Sequence, residues 1–104
     1  MMSNQPIKIA APLNKLAAIQ AINQQYKGNS SAAQCQRALA ALKLCGFTTF
    51  ELMRIFDIYC PPARIRQLRK SGYNIITLWQ IVFTESNTPH RVGLYVLQSE
   101  AANG

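Results

Sequence analysis

Ala63, Arg66, Gln67 and Lys70 recur at i, i+3, i+4 and i+7, the spacing that puts four side chains on one face of a helix. Their types suit nucleic acid. An arginine fork fits the two acceptors on a guanine edge, a glutamine amide fits adenine, an alanine methyl can touch thymine, and a lysine meets phosphate. Arg64 and Arg69 flank this face and suit backbone phosphates. The solvated basic side of an ordinary helix would have the same composition, so both readings stand at this point.

The surrounding residues say how such a face would be held. Thr48 and Glu51 have capping-box spacing and predict a helix from Thr49 to Phe56. Phe47 and Leu52 have hydrophobic-staple spacing, and Leu52, Ile55 and Phe56 are the residues expected to be buried. Asp57 to Cys60 would form a tight turn with Ile58 as its inward plug. The residue before a proline avoids the α region, so Pro61 is expected to be extended and Pro62 to open the next helix, over 62–71. Ile65 and Leu68 would face its core. Gly72 would end it as a left-handed cap, with Arg69 and Lys70 at the negative end of the dipole. Neither Cys60 nor Pro61 is a good side-chain cap. Free amides near Ala63 and Arg64 are therefore expected at its start, ready for an anion such as a DNA phosphate.

Charge supports a polyanionic partner. The 104-residue chain carries a net charge of +7, and residues 54–70 hold Arg54, Arg64, Arg66, Arg69 and Lys70 against Asp57 alone. One domain with a full core is expected at this length and at 49% hydrophobic residues. The odd set Cys35, Cys45 and Cys60 contains no C-x-x-C, and His90 lies far from it, which predicts reduced packing thiols, no metal and a cytoplasmic location. No run approaches a membrane span, and the first 20 residues lack the continuous apolar core of a signal peptide. Catalysis finds little material among four acids, Glu51, Asp57, Glu85 and Glu100. There is no Ser-His-Asp set and no phosphate-cradling glycine loop, so neither enzyme activity nor a cofactor is expected.

In chain order, residues 1–11 read as frayed or extended, and Pro12 opens a helix over about 12–26. Leu13, Leu16, Ala17 and Gln20 share one stripe of it, and Ile19, Ile22 and Tyr26 another. One stripe suits its own domain, with Trp79, Ile81 and Phe83 as the expected seat. The other suits either more of the same packing or a homodimer contact through this N-terminal helix. Ser31 and Gln34 form a second capping box, predicting a helix over Ala32–Leu44 with Cys35, Ala38, Leu39 and Leu42 inward. After Gly72 the period shifts to 2. YNIITLWQIVFT and RVGLYVLQ read as two strands around the turn Glu85–Pro89, and both faces of the first are apolar, so both should be covered. His90 and Arg91 lie beside the turn, where they could meet backbone phosphate or the minor groove, or remain solvated. The tail from 99 to 104 is small, polar and expected to be loose.

The order is mainly α with a C-terminal β-hairpin: a winged helix-turn-helix over 31–98, preceded by an N-terminal extension over 1–30 with its extra helix. Residues 36–97 resemble a helix-turn-helix, winged-helix DNA-binding domain family common in phage and prophage proteins. The resemblance runs through QRALAALKLCGFTTFELMRIFDI, PPARIRQLRKSGYNI and HRVGLYVL, with PARIRQLRKSGYNI its most specific part. It implies a compact domain that binds double-stranded DNA, as a small regulator. The rival expectation is a winged helix that turns its basic face to an acidic protein.

Overall fold

The computed structural model describes residues 7–99, with side chains for 15–98. Helix α1 spans Ile7–Gln25, α2 Ser31–Leu44, α3 Thr49–Phe56 and α4 Pro61–Lys70. Strands β1 (Phe47–Thr48), β2 (Asn74–Phe83) and β3 (Pro89–Ser99) form an antiparallel sheet in the order β1-β3-β2. The two-residue β1, which sequence period could not reveal, pairs Phe47 with Tyr95 and Thr48 with Leu94. The long hairpin pairs Ile76 with Val96 through Phe83 with Pro89.

The core lies where the three C-terminal helices meet the base of the sheet. Ala38, Ala41 and Leu42 of α2 close over Leu52 and Phe56 of α3, Ile58 of the turn, Ile65 and Leu68 of α4, and Phe47, Ile75 and Tyr95 of the sheet. Phe47 and Phe56 meet edge to face, centroids 5.1 Å apart. Cys35 and Leu39 pack on this cluster, as their helical spacing with Ala38 and Leu42 predicts. Ile55 does not. Leu52 and Phe56, one turn apart, take the interior, and Ile55 stays exposed on the flank of α3.

Helix α1 begins at Ile7, five residues before Pro12; a proline inside a helix forfeits one hydrogen bond without ending it. Its Ile19 and Ile22 pack on the core, beside α2 and α3. The expected seat on Trp79, Ile81 and Phe83 is not used: those side chains stand exposed, as do Leu78 and Val82 on the opposite face. Covering both faces of β2 was the wrong expectation, because the hairpin outruns the helices and projects beyond them. Leu16 and Ala17 of the other α1 stripe are exposed, and the side chain of Leu13 lies outside the described residues, as do residues 1–6 and most of the expected loose tail.

The cap of α2 is Ser30, not Ser31: the Ser30 hydroxyl accepts from the Ala33 amide at 3.0 Å. Gln34 does not return to Ser31. It is buried, donates to the Asn29 carbonyl at 2.8 Å and accepts from the Tyr59 amide at 2.9 Å. Of the described helices, none is long and apolar enough to cross a membrane.

Candidate nucleic-acid interface

Helix α3, which leads into the turn before α4, is fixed at both ends. At its start, Thr48 and Glu51 make the full capping box: the Glu51 amide donates to the Thr48 hydroxyl at 3.1 Å, and Glu51 Oε1 accepts from the Thr48 amide at 2.8 Å. At the end of α3, Asp57 takes the left-handed conformation (φ 53°, ψ 47°), and the Ile58 amide reaches back to the Leu52 carbonyl at 3.2 Å. Ile58 then plugs the core as its position predicts.

Arg37 of α2 locks this turn. Its guanidinium is buried, and it donates to the carbonyls of Phe56 (2.8 Å), Asp57 (3.0 Å), Tyr26 (2.6 Å) and Gly28 (2.8 Å). Four backbone acceptors share one charge, and two segments of chain, Tyr26–Gly28 and Phe56–Asp57, are tied to α2. Sequence reasoning missed Arg37 and the role of Gln34. The one signal for Arg37 is a charged residue among the apolar positions of α2, one before buried Ala38.

Helix α4 starts at Pro61, one residue earlier than predicted, and Pro61 is itself a buried core residue. Cys60 takes the non-helical conformation instead (φ −138°, ψ 78°), since it too precedes a proline. The expectation of free amides here fails. Pro61 and Pro62 have no N–H, and the amides of Ala63 and Arg64 both donate to the Cys60 carbonyl, at 3.0 and 3.2 Å. At the other end, Gly72 is left-handed (φ 104°). Its amide meets the Arg69 carbonyl at 3.0 Å and the Tyr73 amide meets Leu68 at 3.2 Å, a Schellman motif.

With Ile65 and Leu68 buried, the outer side of α4 presents Arg66, Gln67 and Lys70 as exposed side chains, with Ala63 half-buried at its edge. Gln67 Oε1 accepts from the Cys35 thiol at 3.4 Å, which tethers one side of the amide to α2. Burial raises the Cys35 pKa, and the nearby Arg64 charge opposes that only in part. Arg64 is half-buried, and its Nε is enclosed without a hydrogen-bond partner. Arg69 already has structural work: Nε donates to the Ile75 carbonyl at 2.9 Å and Nη2 to the Thr77 hydroxyl at 3.1 Å, pinning α4 to β2.

A cleft of about 410 Å³ separates α4 from the sheet and is lined by Arg66 and Arg69 on one side and Thr77 and Trp79 on the other. The Arg91 guanidinium lies 4.3 Å from the centre of the Trp79 ring, a cation–π contact on this same side. His90, its neighbour, alternates to the other face of the strand, toward a cleft that also borders Thr48, Glu51 and Gln80. Both wing residues border that second cleft, and of the two Arg91 also stacks on Trp79, on the side that carries Arg66 and Arg69.

Among the described residues no group of His, Cys, Asp and Glu side chains could hold a metal ion, and the three cysteines are free thiols. No curated protein matches the chain, and no solved structure does. A family model for the winged helix-turn-helix domain matches residues 33–100. That span takes in the capped α3, the turn, α4 and the whole hairpin, and with it the chain belongs to the winged helix-turn-helix domain family.

Proposed function

We propose that the protein binds double-stranded DNA sequence-specifically, as a small transcriptional regulator of the phage or prophage kind, and reads the major groove with α4. Family membership suggests DNA binding. The observation that carries the finer reading is the outer side of α4, where Arg66, Gln67 and Lys70 stand exposed behind a turn locked by Arg37. In this reading Ala63, Arg66, Gln67 and Lys70 meet bases. Arg64, Arg91 and the unengaged side of the Arg69 guanidinium meet phosphates, with His90 a peripheral contact from the opposite face of the wing. The role is binding, with no chemistry of its own.

Duplex binding followed by fluorescence anisotropy across a salt series tests this. Several phosphate contacts give a log–log slope of roughly −4 to −6. Absence of binding at low salt would overturn the reading and favour an acidic protein as the partner of the same basic face.

A further inference from the structure

Among the described residues the outer edge of β2 is unpaired: the sheet order is β1-β3-β2, so β2 has β3 on one side and no described strand on the other. The hairpin geometry says which backbone groups face out. Phe83 sits opposite Pro89, which has no N–H, and the Thr84 amide donates to the Thr88 carbonyl at 3.1 Å. Even-numbered residues of β2 therefore bond β3, and the N–H and C=O of Thr77, Trp79, Ile81 and Phe83 point to the free edge. The Ile75 carbonyl follows the same alternation and is capped by Arg69.

Single chains blunt such edges with lysine, proline or inward charges. The open part of β3 does so, with Pro89, His90 and Arg91, whereas Asn74–Phe83 contains no charged residue and no proline. Apolar side chains stand on both sides of the bare edge: Leu78, Trp79, Ile81, Val82 and Phe83 are 41–64% exposed. Gly93 lies opposite Trp79, and a Cβ there would crowd Thr77 Cγ2 at 3.1 Å and meet the ring at ordinary contact distance, 3.5 Å. At roughly 200 Å² for a large side chain, these five leave on the order of 500 Å² of apolar surface bare, near the top of what a monomer shows.

We propose that this edge is a homodimer interface, two copies of β2 pairing antiparallel about a two-fold axis at Gln80. That register is the one that uses all four outward residues. Trp79 pairs with Ile81 of the second copy and Thr77 with Phe83, each exchanging backbone hydrogen bonds, while Leu78 meets Val82 and the single polar side chain of the exposed run meets itself. Edge pairing covers the edge backbone and the flanks of these side chains, with Thr77 and Gln80, while their outer faces stay open, so the area buried is part of the roughly 800 Å² per partner of a standard interface. No like charges are brought opposite one another along the paired strands, because β2 carries no charged residue. This places the dimer contact on the wing. Helix α1 offers less: Ile19 and Ile22 are already packed on the core, and Leu16 is the one large apolar side chain described as exposed on that helix.

Sedimentation at micromolar protein without DNA tests the proposal apart from the DNA-binding reading. Wild type should be dimeric. Ile81→Lys should weaken the dimer about a hundredfold, because each dimer loses two buried isoleucines, with the circular dichroism of the fold unchanged. In a Cys60→Ser background, Gln80→Cys should cross-link on mild oxidation, since the facing residues of a non-hydrogen-bonded pair lie within disulfide reach, and Leu78→Cys should not. The cross-link keeps the test decisive even if Ile81→Lys fails to fold. A monomeric wild type overturns the proposal. So does a dimer that survives Ile81→Lys and dissolves in Leu16→Glu, or a cross-link that forms at position 78 and not at 80.

Discussion

Replacing Arg37 should cost more stability than replacing any residue of the outer face of α4. Its guanidinium is 3% exposed and donates four hydrogen bonds of 2.6–3.0 Å, all to backbone carbonyls. A charged donor contributes roughly 1.5–3 kcal/mol per bond, so four would give an upper bound of about 6–12 kcal/mol. Two effects reduce that figure. Burying the guanidinium itself costs several kcal/mol, which the truncated protein no longer bears. The carbonyls of Gly28 and Asp57 belong to exposed residues at the end of a small open cleft, where water can replace part of the donor set. Arg37→Ala is therefore expected to lose about 3–5 kcal/mol, a large part of the roughly 5–15 kcal/mol that holds a domain of this size. Arg37→Lys keeps the charge but concentrates its donors at one point. It cannot span the Phe56–Asp57 and Tyr26–Gly28 acceptors together and should recover about half. Urea unfolding followed by circular dichroism gives both values. Hydrogen exchange adds a local readout, since the amides of Ile58 and Tyr59 should lose protection first. An Arg37→Ala variant within about 1 kcal/mol of wild type would refute the reasoning and reduce Arg37 to a tolerated surface residue.

Two further outcomes follow from the interface. Arg66→Ala and Gln67→Ala should each cost about 1–3 kcal/mol on the preferred site and blur its base preference, whereas Arg91→Ala should weaken all sequences alike; binding-site selection on the three variants separates these effects, and an unchanged motif for Arg66→Ala would remove it from base reading. Cys35, whose pKa is raised by burial, should react with alkylating reagents after exposed Cys60, and its rate should keep climbing above pH 9. The sign for stability follows: a raised folded-state pKa adds stability that is present below the ordinary thiol pKa and is lost as pH rises through the shifted value. A pH–rate profile for Cys35 that levels off below pH 9 would contradict the shift.

What the sequence disclosed was short-range. Thr48 with Glu51, Gly72 after Lys70 and Ile58 in the turn each satisfy a backbone requirement within a few residues, and each lies where its neighbours require. The outward set Arg66, Gln67 and Lys70 was equally legible, because burial of Ile65 and Leu68 fixes the rotation of α4. Longer-range demands were not. Ser31 has capping-box spacing to Gln34, yet Ser30 caps the helix and Gln34 is committed to Asn29 and to Tyr59, 25 residues on. Arg37 reads as one more basic residue until the carbonyls of Phe56 and Asp57 are seen around it. Strand β1 is two residues long and has no period to read. The bare apolar faces of β2 were misjudged because hydrophobicity was equated with burial, and strand length relative to the helices is not written in the residues themselves.

The closed amino end of α4 changes how this domain can discriminate among sequences. A helix with open amides at its start can seat a phosphate there whatever the base sequence, and the contact holds the helix in one register. Here Pro61 and Pro62 remove two donors, and the Cys60 carbonyl takes those of Ala63 and Arg64. In the proposed DNA-binding reading, register must then come from side chains and from the wing. Arg69 is held by Ile75 and Thr77, and Arg91 by the Trp79 ring, so both charges sit on the sheet rather than on free-moving stems. A guanidinium already restrained loses less freedom on meeting a phosphate than a solvated one. On the proposed DNA-binding reading, Trp79 would act on DNA through Arg91. Compared at equal oligomeric state, since Trp79 also lies in the proposed β2 interface, Trp79→Ala should weaken binding to every sequence and leave the base preference unchanged, and Arg91→Ala added to it should cost little more. Strictly additive losses in that double-mutant cycle would show that the ring does not position the charge.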